Sequence, residues 1–142
     1  MFRILVPVDG SEGSMRAVEH LIAKAPGFLP GTLQIDLLNV QPPITGSASS
    51  FVNAETLKEY HQEEGLKALA TARERLQRAG VKQAHHIAVG DAAQVIAQYA
   101  REQKADQIVM GTRGLGAVSG MLLGSVATKV VHLSEVPVLL VK

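Results

Sequence analysis

Five short apolar runs alternate with stretches of helical spacing, and that alternation limits this 142-residue chain more than any other feature. The runs are Phe2–Val8, Leu33–Val40, the segment Val81–Val89, Asp106–Met110 and Val138–Val141. Phe2–Val8 is a continuous apolar run with β-branched residues, the pattern of a strand covered on both faces. Between the runs, apolar residues recur every three or four positions. The sets are Ala17, Val18, Leu21 and Ile22; Leu57, Leu69, Ala72 and Leu76; Val95, Ile96 and Tyr99; and the stretch Val126–Leu133. The order reads β-α-β-α-β-α-β-α-β with no internal repeat. Such an order gives a parallel sheet with helices on both faces and right-handed crossovers. The length predicts one domain, residues 1–142.

Local chemistry supports these boundaries. Ser11 or Ser14 is placed to cap the first helix, and Pro26-Gly27 with Pro30-Gly31 ends it. Asn53 caps a long helix running to about Ala79, with Gly80 as its natural stop. Asp91 with Gln94 resembles a capping box for a helix over 92–103. Between them, Gln41–Val52 is dominated by Pro, Gly and Ser, and is expected to be a mobile loop or a lid.

The segment most suggestive of chemistry is Gly111–Ser125, which runs from the fourth strand into the last helix. Glycines permit positive φ and leave no β-carbon in the way of a ligand. Several in one loop can point successive N–H groups at an anion. The helix that begins near Gly124-Ser125 adds unsatisfied N–H groups and the positive end of its dipole, and Ser125 adds a hydroxyl. These features predict a phosphate site. It is not a Walker A loop, because Gly124 is followed by Ser125 with no lysine between. Nor is it a dinucleotide fingerprint, because Ser119 stands where a glycine is required after Gly114 and Gly116. The plainer alternative is a surface loop that binds nothing.

The spacing Gly111-x-x-Gly114, nine residues, then Gly124-Ser125 resembles the ATP-binding signature of the universal stress protein family. The likeness runs the whole length, through I-L-V-P-V-D-G-S at the start, L-L-N-V, V-G-D-A-A-Q-V-I and M-G-T-R-G. It implies a three-layer α/β, Rossmann-like (adenine nucleotide alpha hydrolase-like) fold. The sheet would be doubly wound and parallel, with five strands in the order 3-2-1-4-5. It also implies a homodimer through the last strand, residues 137–141. The implied ligand is ATP, ADP or AMP, with Mg2+ or Mn2+ accompanying it. By the same resemblance, Pro7, Val8, Asp9 and Val40 frame the adenine and ribose. Gly111, Gly114, Gly124 and Ser125 hold the phosphates, and Met110, Arg113, Val126 and Ala127 line the site. Two positions depart from the family: Asn39 stands where histidine is common, and Ala127 where many members carry serine or threonine. The second removes a phosphate donor but leaves the backbone N–H groups in place.

Individual residues carry competing readings. Asp9 could accept ribose hydroxyls or hold a divalent metal through water, or it could simply cap a turn. Arg113 could clamp phosphate oxygens or extend into solvent. Lys129 lies one turn past Ser125 and is expected to face water. His85 and His86 point to opposite faces of a strand, so they cannot chelate one ion together. His61 shares a helix face with Glu64, read as solvated helix surface. His20 and His132 have no partner in the sequence. No residue is assigned to catalysis.

Composition narrows the function. Net charge is +1 with no run of like charges, and the aromatics are sparse, so a nucleic-acid surface is not expected. No apolar run approaches membrane-spanning length, and Pro7 and Asp9 interrupt the N-terminal run, so it reads as a strand rather than a signal peptide. The expected compartment is the cytoplasm. There is no cysteine, hence no disulfide. The apolar stretch Val136–Val141 would be a hazardous bare edge, which pairing with its own copy would cover. The leading expectation is an ATP-binding regulatory or stress-response homodimer. The alternatives are a slow metal-dependent ATPase or phosphotransferase, and a dimeric scaffold that binds no nucleotide. Fast hydrolysis needs a positioned base, and the sequence offers no strong one.

Overall fold

The computed structural model describes residues 1–46, 52–114 and 123–142. In it, five strands form one parallel sheet: β1 (Phe2–Pro7), β2 (Leu33–Gln41), β3 (Gln83–Val89), β4 (Gln107–Gly111) and β5 (Val138–Val141). Their order is β3-β2-β1-β4-β5. The helices are α1 (Glu12–Lys24), α2 (Ala54–Arg78), α3 (Ala92–Glu102) and α4 (Ser125–Leu133). The α/β fold read from the alternation, and the strand order implied by the resemblance, are therefore present.

The alternation of β1 builds two cores. Ile4, Val6 and Val8 point to one face, where Val18 and Leu21 of α1 and Leu69, Ala72 and Leu76 of α2 cover them. Leu5 points to the other, against Ile96 of α3 and Val130 of α4, beside Ile108 and Met110 of β4. Each strand thus feeds both layers, which is why the sequence reads as apolar runs rather than alternation. Among the described residues no helix is long and apolar enough to cross a membrane.

The caps fall as the sequence suggests. Ser11 Oγ accepts from Ser14 N at 3.2 Å, Asn53 Oδ1 from Thr56 N at 2.8 Å, and Asp91 Oδ2 from Gln94 N at 3.2 Å. The segment Val81–Val89 holds the third strand from Gln83 onward, and Val81 closes the C-terminus of α2. There Gly80, at φ +72°, donates to Gln77 O at 3.0 Å, and Val81 N donates to Leu76 O at 2.9 Å. That pattern is a Schellman motif with glycine at its left-handed position. The fourth strand begins one residue later than expected, since Asp106 turns its carboxylate onto Arg3 N at 2.8 Å. The stretch expected as a loop or lid, 41–52, lies partly outside the described residues, and Gln41 itself extends β2.

Candidate functional site

In a doubly wound sheet the chain leaves β1 toward one face and β4 toward the other, opening a crevice between their C-terminal ends. Here β1 and β4 are neighbours, with Leu5 opposite Ile108. A cleft of about 360 Å³ opens at that point. All twelve residues singled out from the sequence line it: Pro7, Val8, Asp9, Val40, Met110, Gly111, Arg113, Gly114, Gly124, Ser125, Val126 and Ala127. Segments far apart in the chain therefore meet at one place. The residues between Gly114 and Leu123 lie outside the described part of the chain.

The cleft has an apolar wall and a polar wall. Leu38, Val40, Ile96 and Met110 form the first. Asp9, Ser11, Ser14, Thr112 and Arg113 contribute to the second. The start of α4 also borders it. Gly124 is the N-cap residue, and its carbonyl accepts from Thr128 N at 3.0 Å. The N–H groups of Ser125, Val126 and Ala127 have no acceptor within the helix, as in any first turn.

Not every glycine acts as the sequence suggested. The Gly124 N–H is directed inward, donating to Thr112 O at 2.6 Å, so it is not offered to a ligand. A β-carbon on Gly111 would collide with the Gly13 backbone, and one on Gly13 would collide with Arg113 O. A β-carbon on Gly114 would overlap Asp9 Oδ2. These glycines let the glycine loop, the first turn of α1 and the end of β1 approach one another. The need for small residues was legible; that its cause at Gly111 is packing against Gly13 was not.

Asp9 fulfils its plainer reading while bordering the cleft. Its Oδ1 accepts from Ser11 N at 2.9 Å and from Ser14 Oγ at 3.2 Å. Gly10, at φ +85°, makes the turn that brings these groups together. Beneath, the buried Asn39 donates to Val8 O at 2.8 Å and accepts from Gln41 Nε2 at 2.7 Å. That chain fixes the backbone at Val8, so Asn39 has a structural task. Arg113 is half-buried at the cleft, and Lys129 is exposed.

Sequence reasoning missed Ser11, Ser14, Leu38, Ala92, Ile96 and Thr112 as lining residues. Ser11 and Ser14 were recognised only as caps, and Ile96 only as core. One reading is overturned: His61 is not on solvated surface but is 7 % exposed. Its helix neighbour Glu64 instead pairs with Lys67 at 3.4 Å. His85 and His86 do face opposite ways. His86 Nε2 lies 3.7 Å from Asp36 Oδ1, and its ring lies tilted against Tyr99 with centroids 5.0 Å apart. Among the described residues no group of three or more His, Asp or Glu is arranged to hold a metal ion.

A parallel sheet in this order, with a cleft over the β1–β4 boundary, defines a doubly wound α/β protein with a switch-point site. The profile of the universal stress protein family matches residues 1–142. The universal stress protein MJ0531 of Methanocaldococcus jannaschii is 36% identical over 99% of this chain and 81% of its own length. The chain belongs to the universal stress protein family. Among solved structures, MJ0577 of the same organism superposes with a TM-score of 0.81 at 30% identity, covering 99% of this chain and 94% of that one. A family member from Arabidopsis thaliana, solved with AMP bound, has a TM-score of 0.72 at 25% identity, covering 100% and 92%.

Proposed function

We propose that this chain is a nucleotide-responsive member of its family that captures ATP, ADP or AMP in the switch-point cleft. The observation that carries this reading is the meeting of the apolar wall and the first turn of α4 across one cavity. Its volume of about 360 Å³ falls in the range of small-molecule sites. The base would lie against Val40, Ile96 and Met110, and the phosphates would face Ser125, Val126 and Ala127. The AMP bound to the Arabidopsis relative supports an adenine nucleotide as the ligand class. Mg2+ or Mn2+ would ride on the phosphates, with Asp9 as the carboxylate nearest to hand.

The mechanism is binding rather than chemistry. Occupancy at millimolar ATP needs only about 4 kcal/mol, which oriented N–H groups can supply without a lysine. Asp9, the carboxylate lining the cleft, already accepts two hydrogen bonds and is poorly placed to act as a base. Hydrolysis should therefore be slow.

The effector would be a homodimer in the cytoplasm. β5 ends the sheet, Leu139 on it is 37% exposed, and Val131 and Leu133 of nearby α4 are 48% and 45% exposed. Pairing β5 with its copy would cover this edge. Nucleotide occupancy would then change what partner the dimer surface accepts.

The deciding experiment is mass spectrometry of small molecules released on denaturing freshly purified protein, followed by ATP titration with Mg2+ or Mn2+. Near-stoichiometric ATP or ADP, with affinity lost in Gly124→Val while the melting transition persists, is the expected result. A β-carbon at Gly124 would already lie 3.3 Å from Thr112 O and 3.4 Å from Arg113 Cα, so valine must displace the loop. An empty protein that binds no added nucleotide would refute the reading.

A further inference from the structure

Side chains of β2 alternate between the two layers. Leu33, Ile35 and Leu37 enter the core beneath α1 and α2, whereas Leu38 and Val40 join the layer that borders the cleft. Asn39 therefore lies on the α1–α2 face. It is 3% exposed and does not line the cleft. It is a buried polar side chain standing behind the site.

Its hydrogen bonds alter the ladder between β1 and β2. Val8 N donates to Leu38 O at 2.8 Å. In a parallel pair the next bond along that edge would run from Val40 N back to Val8 O. Among the described residues that bond is not made, and Val8 O accepts instead from the side-chain amide of Asn39 at 2.8 Å. Gln41 Nε2 steadies the amide from its other end, donating to Asn39 Oδ1 at 2.7 Å. Gln41 is itself tied to the end of β3, its carbonyl accepting from Gly90 N at 3.0 Å. Gly10, which a longer ladder would bring onto Val40 O, turns off at φ +85°. The Val40 peptide group thus faces the β1 side beyond the end of the ladder, where Val8 and Val40 both line the cleft.

We infer that Asn39 is a positioning residue for nucleotide binding: it takes the Val8 carbonyl from behind the sheet and so leaves the Val40 N–H and C=O open to the base. The inference rests on the nucleotide reading of the cleft and adds the residue that prepares its base end. A strand peptide group without a ladder partner is a donor and an acceptor side by side, and a ligand that completes both is favoured. Adenine offers the matching edge, a ring acceptor beside an amino group. Hypoxanthine offers the reverse, a ring N–H beside a carbonyl, and would leave both groups mispaired. An apolar side chain at position 39 would return Val8 O to Val40 N and close the ladder.

Amide hydrogen exchange read by NMR, with titrations of ATP and inosine triphosphate, tests this. In the nucleotide-free wild-type protein Val40 N–H should exchange at least about tenfold faster than Leu38 N–H, and ATP should protect it. In Asn39→Leu the same N–H should be protected before any nucleotide is added, opposite to the change that general loosening would cause. ATP affinity should fall about tenfold in that variant, and the preference for ATP over inosine triphosphate should shrink with it. Asn39→His, which keeps a donor at similar reach, should restore both. The wild-type exchange comparison holds even if leucine impairs folding. A Val40 N–H already protected in the free wild-type protein, or ATP bound equally well by Asn39→Leu, would overturn the inference and leave the nucleotide reading standing. Wild-type protein that binds neither nucleotide would overturn that reading, and the inference with it.

Discussion

Gly114 approaches Asp9 so closely that a β-carbon on the glycine would overlap carboxylate oxygen Oδ2. The loop after β4 is thereby keyed to the turn after β1, across the mouth of the proposed nucleotide cleft. Gly114→Ala must turn the Asp9 carboxylate aside or move the loop, and either change alters the mouth of the cleft. The expected outcome is at least a tenfold loss of ATP affinity by calorimetric titration, with thermal stability changed by no more than about 1 kcal/mol. Unchanged affinity would show that this contact does not shape the site.

Gly13 tests the companion contact between α1 and the glycine loop. Alanine at an exposed helix position would gain about 1 kcal/mol over glycine. At Gly13 the new methyl would run into Arg113 O, and backbone cannot yield cheaply. Gly13→Ala should therefore destabilise by about 1–3 kcal/mol in urea unfolding. A stabilised variant would mean that the loop moves freely.

α2 and α3 end in the same motif with different residues at its left-handed position. Gly80 takes it after α2, whereas after α3 it is Lys104, at φ +54°. Lys104 N donates to Arg101 O at 3.2 Å and Ala105 N to Ala100 O at 2.9 Å, so the hydrogen bonding is complete. What remains is the steric cost of a β-carbon at positive φ, about 1 kcal/mol, partly offset by glycine's greater freedom when unfolded. Lys104→Gly should raise stability by no more than about 0.5 kcal/mol, read as a slightly higher urea midpoint with unchanged m-value.

His85 gives a prediction in pH. Partial burial, then the nearby positive charge of Arg73 and then His86, hold its imidazole below the ordinary histidine value. The folded state thus favours the neutral ring, and the unfolded chain takes up a proton first. Stability should be fully present above about pH 6.5 and decline slightly as pH falls through that range. The residue is largely exposed, so the effect should be small and weaken with salt. NMR titration of His85 should show a midpoint that rises in Arg73→Gln.

Much of the scaffold was legible because its determinants are local. Ser11, Asn53 and Asp91 each cap a helix with their own side chains, and Gly80 closes α2 through backbone bonds two to five residues back. Such interactions need only neighbouring residues, so the chain alone announces them. His61 was misread for the complementary reason. Polar neighbours suggested a wet face, whereas its exposure depends on β3, which lies opposite it only in the folded sheet.

By itself the sequence determined the succession of strands and helices, their caps, and the small residues demanded by the loop after β4. Each follows from backbone preferences and spacing within a few residues. Only the tertiary structure decided what those residues meet. It set β1 beside β4, brought twelve scattered residues to one cleft, and opposed Gly111 to Gly13 and Gly114 to Asp9. It also laid α2 over β3 and buried His61. Contacts between residues a hundred positions apart depend on crossover geometry and on how far each element extends. Those quantities are fixed when the layers pack, not while the chain is read along its length.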